Sequence, residues 1–155
     1  MQRKRKIIAE WVRLVRSPLS RYEADVLASV EGKIRGPEDV FNLLKERVSR
    51  EEVEVFYLIV LDSQSRPRAL HEVTRGILSA SLVHPREVFR LAVAYNAAGI
   101  IVAHNHPSDD PTPSADDRAM TKQLVEAGRV LDIPVFDHVI VGGERYLSFA
   151  SAGLL

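Results

Sequence analysis

The chain has 155 residues, 46% of them hydrophobic, which is enough for one domain with a core of its own. The absence of cysteine excludes disulfides, thiolate nucleophiles and Cys-ligated zinc, and fits a reducing cytoplasm. No apolar run approaches the roughly 18–20 residues of a membrane span, and a net charge of zero conceals a basic head, with 12 Lys/Arg against 7 Asp/Glu in residues 1–50 and 9 against 14 in the remainder.

In chain order, residues 3–16 place Ile7, Ile8, Trp11, Val12 and Val15 on one helical face, with Lys4, Arg5, Lys6, Arg13 and Arg16 mostly elsewhere. Such a stripe packs on the main domain or on a second copy of the chain, so a homodimer through this helix is one expectation. Its basic side is a route to nucleic acid. A second short helix is expected over residues 20–34, with Tyr22, Val26, Leu27 and Val30 on one face and Gly32 near its end. Residues 1–35 thus read as a basic helical segment ahead of a domain over 36–155. Pro37 opens a third helix through Val48, with Glu38 and Asp39 suited to its N-terminal dipole.

At Glu54 the character changes to a β run through Asp62, apolar on both faces, with residues 68–74 as a hairpin partner and 76–83 as a further extended segment. His84-Pro85 starts a helix with Val88, Leu91, Ala92 and Tyr95 inward and Gly99 as its C-cap. Residues 99–104 form a short apolar strand. A helix follows Ser114 and ends at Gly128, and residues 135–149 make a closing hairpin around Gly142-Gly143. Strands alternating with helices predict a mixed α/β sandwich.

The chemistry concentrates at the end of the 99–104 strand, in His104-Asn105-His106-Pro107. Residues two apart on a strand share a side, so His104 and His106 can offer imidazole nitrogens to one ion while Asn105 faces away. A Pro- and Asp-rich return leads to Asp117, an oxygen ligand that Zn²⁺ accepts beside two neutral imidazoles, and three protein ligands leave a position for water. Ser114-x-x-Asp117 is equally a capping box in form, and the two readings are compatible. Asp137-His138 could be a metal pair or could orient a metal ligand from behind, but reads first as a strand pair with a structural role, with His84 as a residue at a helix start and His71 as a hairpin surface residue.

The word His104-x-His106-Pro107, the seven residues Pro107 to Pro113, then Ser114 and Asp117, with a glutamate upstream on a strand, resembles the JAMM motif of the MPN-domain (JAB) metalloproteases. His84-Pro85-Arg86-Glu87-Val88-Phe89, Ala127-Gly128 and Asp137 through Gly142 narrow the resemblance to the RadC branch, over roughly residues 36 to 150. The resemblance implies a cytidine-deaminase-like α/β sandwich with helices on both faces of a mixed sheet. It also implies roles: His104, His106 and Asp117 as zinc ligands, Ser114 supporting the oxyanion or the zinc water, and Glu54 as general acid/base. Glu54 is chosen over Glu51 and Glu52 because it stands two residues before Phe56 and seven before Leu61-Asp62, as the family's glutamate does.

The expected function is that of a zinc metallopeptidase or isopeptidase acting on a peptide or protein, a ubiquitin-like (β-grasp) conjugate among the candidates. A metal-dependent nuclease or DNA-repair factor and a non-catalytic MPN scaffold are the alternatives. Two features depart from the RadC pattern. Asp109-Asp110 stands where a glycine is usual, which matters if that turn needs positive φ. The short head also leaves little room for the helix-hairpin-helix DNA-binding module of longer relatives.

Overall fold

The computed structural model describes residues 32–76, 78 and 83–155. In chain order the elements are α1 (Pro37–Val48), β1 (Val55–Leu61), β2 (Pro67–Arg75), α2 (Pro85–Ala94), β3 (Gly99–Asn105), α3 (Ala115–Leu131), β4 (Val135–Gly142) and β5 (Arg145–Ser148). The helix expected over residues 3–16 and most of that over 20–34 lie outside the described residues; residues 32–36 are not helical. The extended segment expected over 76–83 is described only at Gly76, Leu78 and Val83, none of them in a strand.

The strands form one mixed sheet in the order β2-β1-β3-β4-β5. The β3–β4 pair is parallel and the other three are antiparallel. A parallel pair needs a crossover, and α3 supplies it. β1 lies between β2 and β3 with every residue buried, as its continuous apolar run requires.

The sheet sorts its side chains by parity. Phe56, Leu58, Val60, Ile100 and Val102 face Val88, Phe89 and Ala92 of α2 and Met120 and Leu124 of α3. The opposite face, with Tyr57, Ile59, Ile101, Ala103, Val139 and Val141, receives Val40, Leu44 and Val48 of α1. Helices therefore cover both faces, and the fold is the MPN/JAB-type mixed-sheet α/β sandwich that the resemblance implies.

Three predicted boundaries move, two of them at glycines. Gly99 does not cap α2; that helix ends at Tyr95, and Asn96 takes the left-handed turn at φ 51°. Gly99 instead begins β3, where the Phe136 ring occupies the space a Cβ would need. Gly128 does not end α3, which continues to Leu131 and closes on Asp132 at φ 56°. Within α3 it admits the Ile133 carbonyl, which would stand 2.5 Å from an added Cβ. The closing hairpin has the expected turn, with Gly143 at φ 57°, but β5 stops at Ser148.

Candidate metal centre

The parity that builds the core also aims the site. His104, two residues beyond Val102, continues the α3-facing side of β3, and register pairs it with Phe56 across β1. Asp117 sits in the first turn of α3, above the same sheet end. The capping box is formed: the Ser114 hydroxyl accepts from the Asp117 N–H at 3.0 Å, and Asp117 Oδ2 accepts from the Ser114 N–H at 2.7 Å. Capping fixes the carboxylate rather than competing with its use as a ligand, and it leaves the Ser114 O–H free of that hydrogen bond.

The three residues converge. His104 Nε2 and His106 Nε2 are 3.0 Å apart, and Asp117 Oδ1 and Oδ2 lie 3.2 and 3.4 Å from them respectively. Ligands on a tetrahedral zinc with bonds near 2.0–2.1 Å stand about 3.3 Å from one another. The His106 ring is further held by its Nδ1–H, which donates to the Asp110 carbonyl at 2.7 Å and turns Nε2 toward the cluster. Two ring nitrogens and a carboxylate crowded in this way repel unless a cation or proton lies among them. The donor set thus fits a divalent metal: His104, His106 and Asp117 could coordinate one.

The electrostatics agree. Burial opposes ionisation of Asp117, but hydrogen bonding to His104 and His106 outweighs it and holds the carboxyl well below the usual range. The Asp117 hydrogen bond, partly opposed by burial, raises His106 above 6.5. Burial and then the neighbouring His104 push His138 well below 6.5, so its ring is neutral.

Glu54 immediately precedes β1. Continuing the β1–β3 register two places beyond Phe56 and His104 sets it across from His106. Its Oε2 accepts from the Leu78 N–H at 3.0 Å and its carbonyl from the Gly76 N–H at 2.8 Å. Arg75 ties the same segment down through Glu51 and Glu72. Asn105 performs a task that residue spacing did not reveal. It faces away from the cluster, as alternation demands, and reaches β1: Oδ1 accepts from the Val55 N–H at 2.8 Å, and Nδ2 donates to the Val53 carbonyl at 3.0 Å. The residue between the two histidines therefore brackets Glu54.

Asp137 and His138 differ in role. The Asp137 carboxylate accepts from Ser148 Oγ and from the His138 and Ala150 amides, joining β4 to the C-terminal turn. His138 instead lies under the cluster, its Nε2 2.8 Å from His104 Nδ1. Its place was not visible before the β3–β4 register, in which His138 pairs with Val102 and so neighbours His104 diagonally. His84 is the N-cap residue of α2, and His71, on β2, is half-buried against Tyr95. In the loop between ligands, Asp109 does adopt positive φ, at 62°, and Arg145 donates to its carbonyl at 2.8 Å.

No helix among the described residues is long and apolar enough to cross a membrane. A family model described as RadC-like JAB domain matches residues 34–154. The chain is 48% identical over 119 residues to the UPF0758 protein STH371 of Symbiobacterium thermophilum, covering 77% of this chain and 51% of that protein. It is 41% identical over 137 residues to a UPF0758 protein of Desulforamulus reducens, covering 88% and 60%, and 44% identical over 131 residues to UPF0758 protein TTE0897 of Caldanaerobacter subterraneus, covering 83% and 56%. The chain thus spans between half and three-fifths of the length of these relatives. With the match extending over nearly all the described residues and a His/His/Asp cluster at the end of β3, the chain belongs to the RadC-like JAB domain family.

Proposed function

We propose that the chain is a zinc-dependent hydrolase of JAMM type that cleaves amide bonds in a peptide or protein, with a ubiquitin-like conjugate as one substrate class. The observation that carries this reading is the approach of two imidazole nitrogens and one carboxylate to within 4.8 Å of one another; the β1–β3 register, extended two places past Phe56 and His104, sets Glu54 opposite the second histidine. Zinc held by His104, His106 and Asp117 would supply Lewis-acid activation of water and of a substrate carbonyl.

The remaining work falls to this chain's own side chains. Glu54 takes the proton that water gives up on attack and returns it to the departing amine. One of its oxygens is already held by the Leu78 N–H, which keeps the other oriented. The Ser114 hydroxyl spends only its acceptor on the α3 cap, so its O–H can donate to the oxygen that gains charge as the carbonyl becomes tetrahedral.

The surroundings favour an amide over a phosphodiester. A cleft of about 120 Å³ beside His106 is lined by Glu51, Asn105, Pro107 and Asp109 among others, and two of these are acidic. Asp110, whose carboxyl is held below the usual range by hydrogen bonds from Thr112, adds a further charge next to Asp109 in the chain. Glu51 is paired with Arg75 and Arg145 donates to the Asp109 carbonyl, so the acidic balance rests on Asp109 and Asp110, which disfavour an anionic backbone relative to a neutral chain.

The test is incubation with a panel of peptides and β-grasp-tagged amides. Cleavage by the wild-type chain is expected, and Glu54→Ala should abolish it while zinc stays bound. Cleavage of DNA but of no amide would replace this reading with a nuclease.

A further inference from the structure

The proton positions around His104 follow from the distances. Thr121 Oγ1 lies 2.6 Å from the Asp117 backbone carbonyl, which carries no hydrogen, so the hydroxyl must donate there. Thr121 Oγ1 is also 2.6 Å from His138 Nδ1. With the hydroxyl proton committed, that contact needs the proton on Nδ1. His138 is 0% exposed, stacked on Phe149 and edge-on to Phe56, and among the described residues its ring hydrogen-bonds only to His104 and Thr121. A neutral ring has one N–H, so His138 Nε2 is an acceptor, and the 2.8 Å contact places a proton on His104 Nδ1. His104 Nε2 is then the nitrogen turned to the Asp117 carboxylate, 3.2 Å away, where a shared proton or a metal ion bridges the two.

We propose that Thr121 and His138 are positioning residues that fix His104 as its Nδ1–H tautomer and so present its Nε2 lone pair to a bound metal. The inference rests on the reading of His104, His106 and Asp117 as a metal site. The chain of hydrogen bonds begins and ends on one residue. The Asp117 carbonyl anchors Thr121, Thr121 orients His138, His138 orients His104, and His104 faces the Asp117 carboxylate. A ligand built this way needs no tautomer change when a cation arrives. Loss of such a hydrogen-bonded support typically weakens metal binding by about 10–100-fold.

Zinc affinity measured by chelator competition, together with long-range ¹H–¹⁵N correlation spectra of the histidine rings, tests this on the full chain. Wild type should bind one zinc, and His104→Ala should abolish binding. His138→Leu should weaken binding about 10–100-fold, and Thr121→Val should weaken it less. His138→Gln, whose amide oxygen can still accept from His104, and Thr121→Ser, which keeps the hydroxyl, should recover most of the affinity. The spectra should show Nδ1–H on both His104 and His138, with an Nε2–H signal appearing on His138 in Thr121→Val. These spectra keep the test decisive should His138→Leu fail to fold. If wild type and His104→Ala hold zinc alike, the metal-site reading fails and the relay with it. If His104→Ala loses zinc but His138→Leu and Thr121→Val bind as wild type, or if wild-type His138 carries its proton on Nε2, the relay alone is overturned.

Discussion

Replacing Asn105 with alanine isolates the link between the strand that carries the candidate metal ligands and the proposed general base. The side chain is 3% exposed and makes two hydrogen bonds to the backbone on either side of Glu54. Without it, the Val55 N–H, on a residue that is 0% exposed, loses its acceptor where water cannot replace it, a cost of about 1–3 kcal/mol. The Val53 carbonyl belongs to a residue that is 41% exposed, so water can substitute and the loss is nearer the ordinary net value of about 0.5–1.5 kcal/mol. Together Asn105→Ala should cost about 2–4 kcal/mol. Urea unfolding at constant slope measures the total, and hydrogen exchange at the Val55 amide reports the local part. Turnover should fall more than zinc affinity does, because Glu54 loses its anchor while the ligands keep theirs. A loss below about 0.5 kcal/mol with the Val55 amide still protected would refute the reasoning, since a buried donor cannot lose its partner at so little cost.

Other consequences are equally specific. Asp109→Gly should leave the fold intact and raise stability by about 0.5–1 kcal/mol, because a non-glycine residue at φ 62° carries strain that glycine does not; a lower melting temperature would contradict this. Gly128→Ala sets a helix-propensity gain of about 1 kcal/mol against a collision with the Ile133 carbonyl. Backbone cannot yield as a flexible side chain does, so we expect a net loss of about 1–3 kcal/mol by thermal melting, and stabilisation would contradict the packing described for α3. After chelator treatment, stability should peak near the ordinary histidine pKa. Above 6.5 it falls, because the contribution of protonated His106 is lost as pH rises through its raised pKa. Below 6.5 it falls again, because the unfolded chain protonates His138 and the folded one does not. The contribution of Asp117 is lost only in stronger acid, as pH falls through its depressed value. Urea midpoints across this range should show both limbs, and His106→Gln should flatten the alkaline one; an unaltered alkaline limb would mean another group causes it.

Much of the site was legible because its signals are local. Alternation along β3 aims His104 and His106 together and turns Asn105 away, and Ser114 and Asp117 mark a helix start whatever else they do. β1 announces itself by seven consecutive apolar residues, all of them buried. What escaped depends on the third dimension. Gly99 and Gly128 resemble helix terminators in sequence, yet each is glycine because a distant group, the Phe136 ring or the Ile133 carbonyl, occupies the place of a side chain. The tasks of Thr121 and His138 emerge only when α3 lies across the β3–β4 pair, and the clamp by Asn105 only when the β1–β3 register is known. In each case the deciding partner is remote in sequence, so no local pattern encodes it.

Anomalous scattering at the zinc edge, from crystals grown with zinc, tests the central claim most directly. The account predicts one peak bonded to His104 Nε2, His106 Nε2 and an Asp117 oxygen at about 2.0–2.2 Å, and none in crystals of His104→Ala. No peak within reach of these three side chains, or a peak held by other residues, would contradict it.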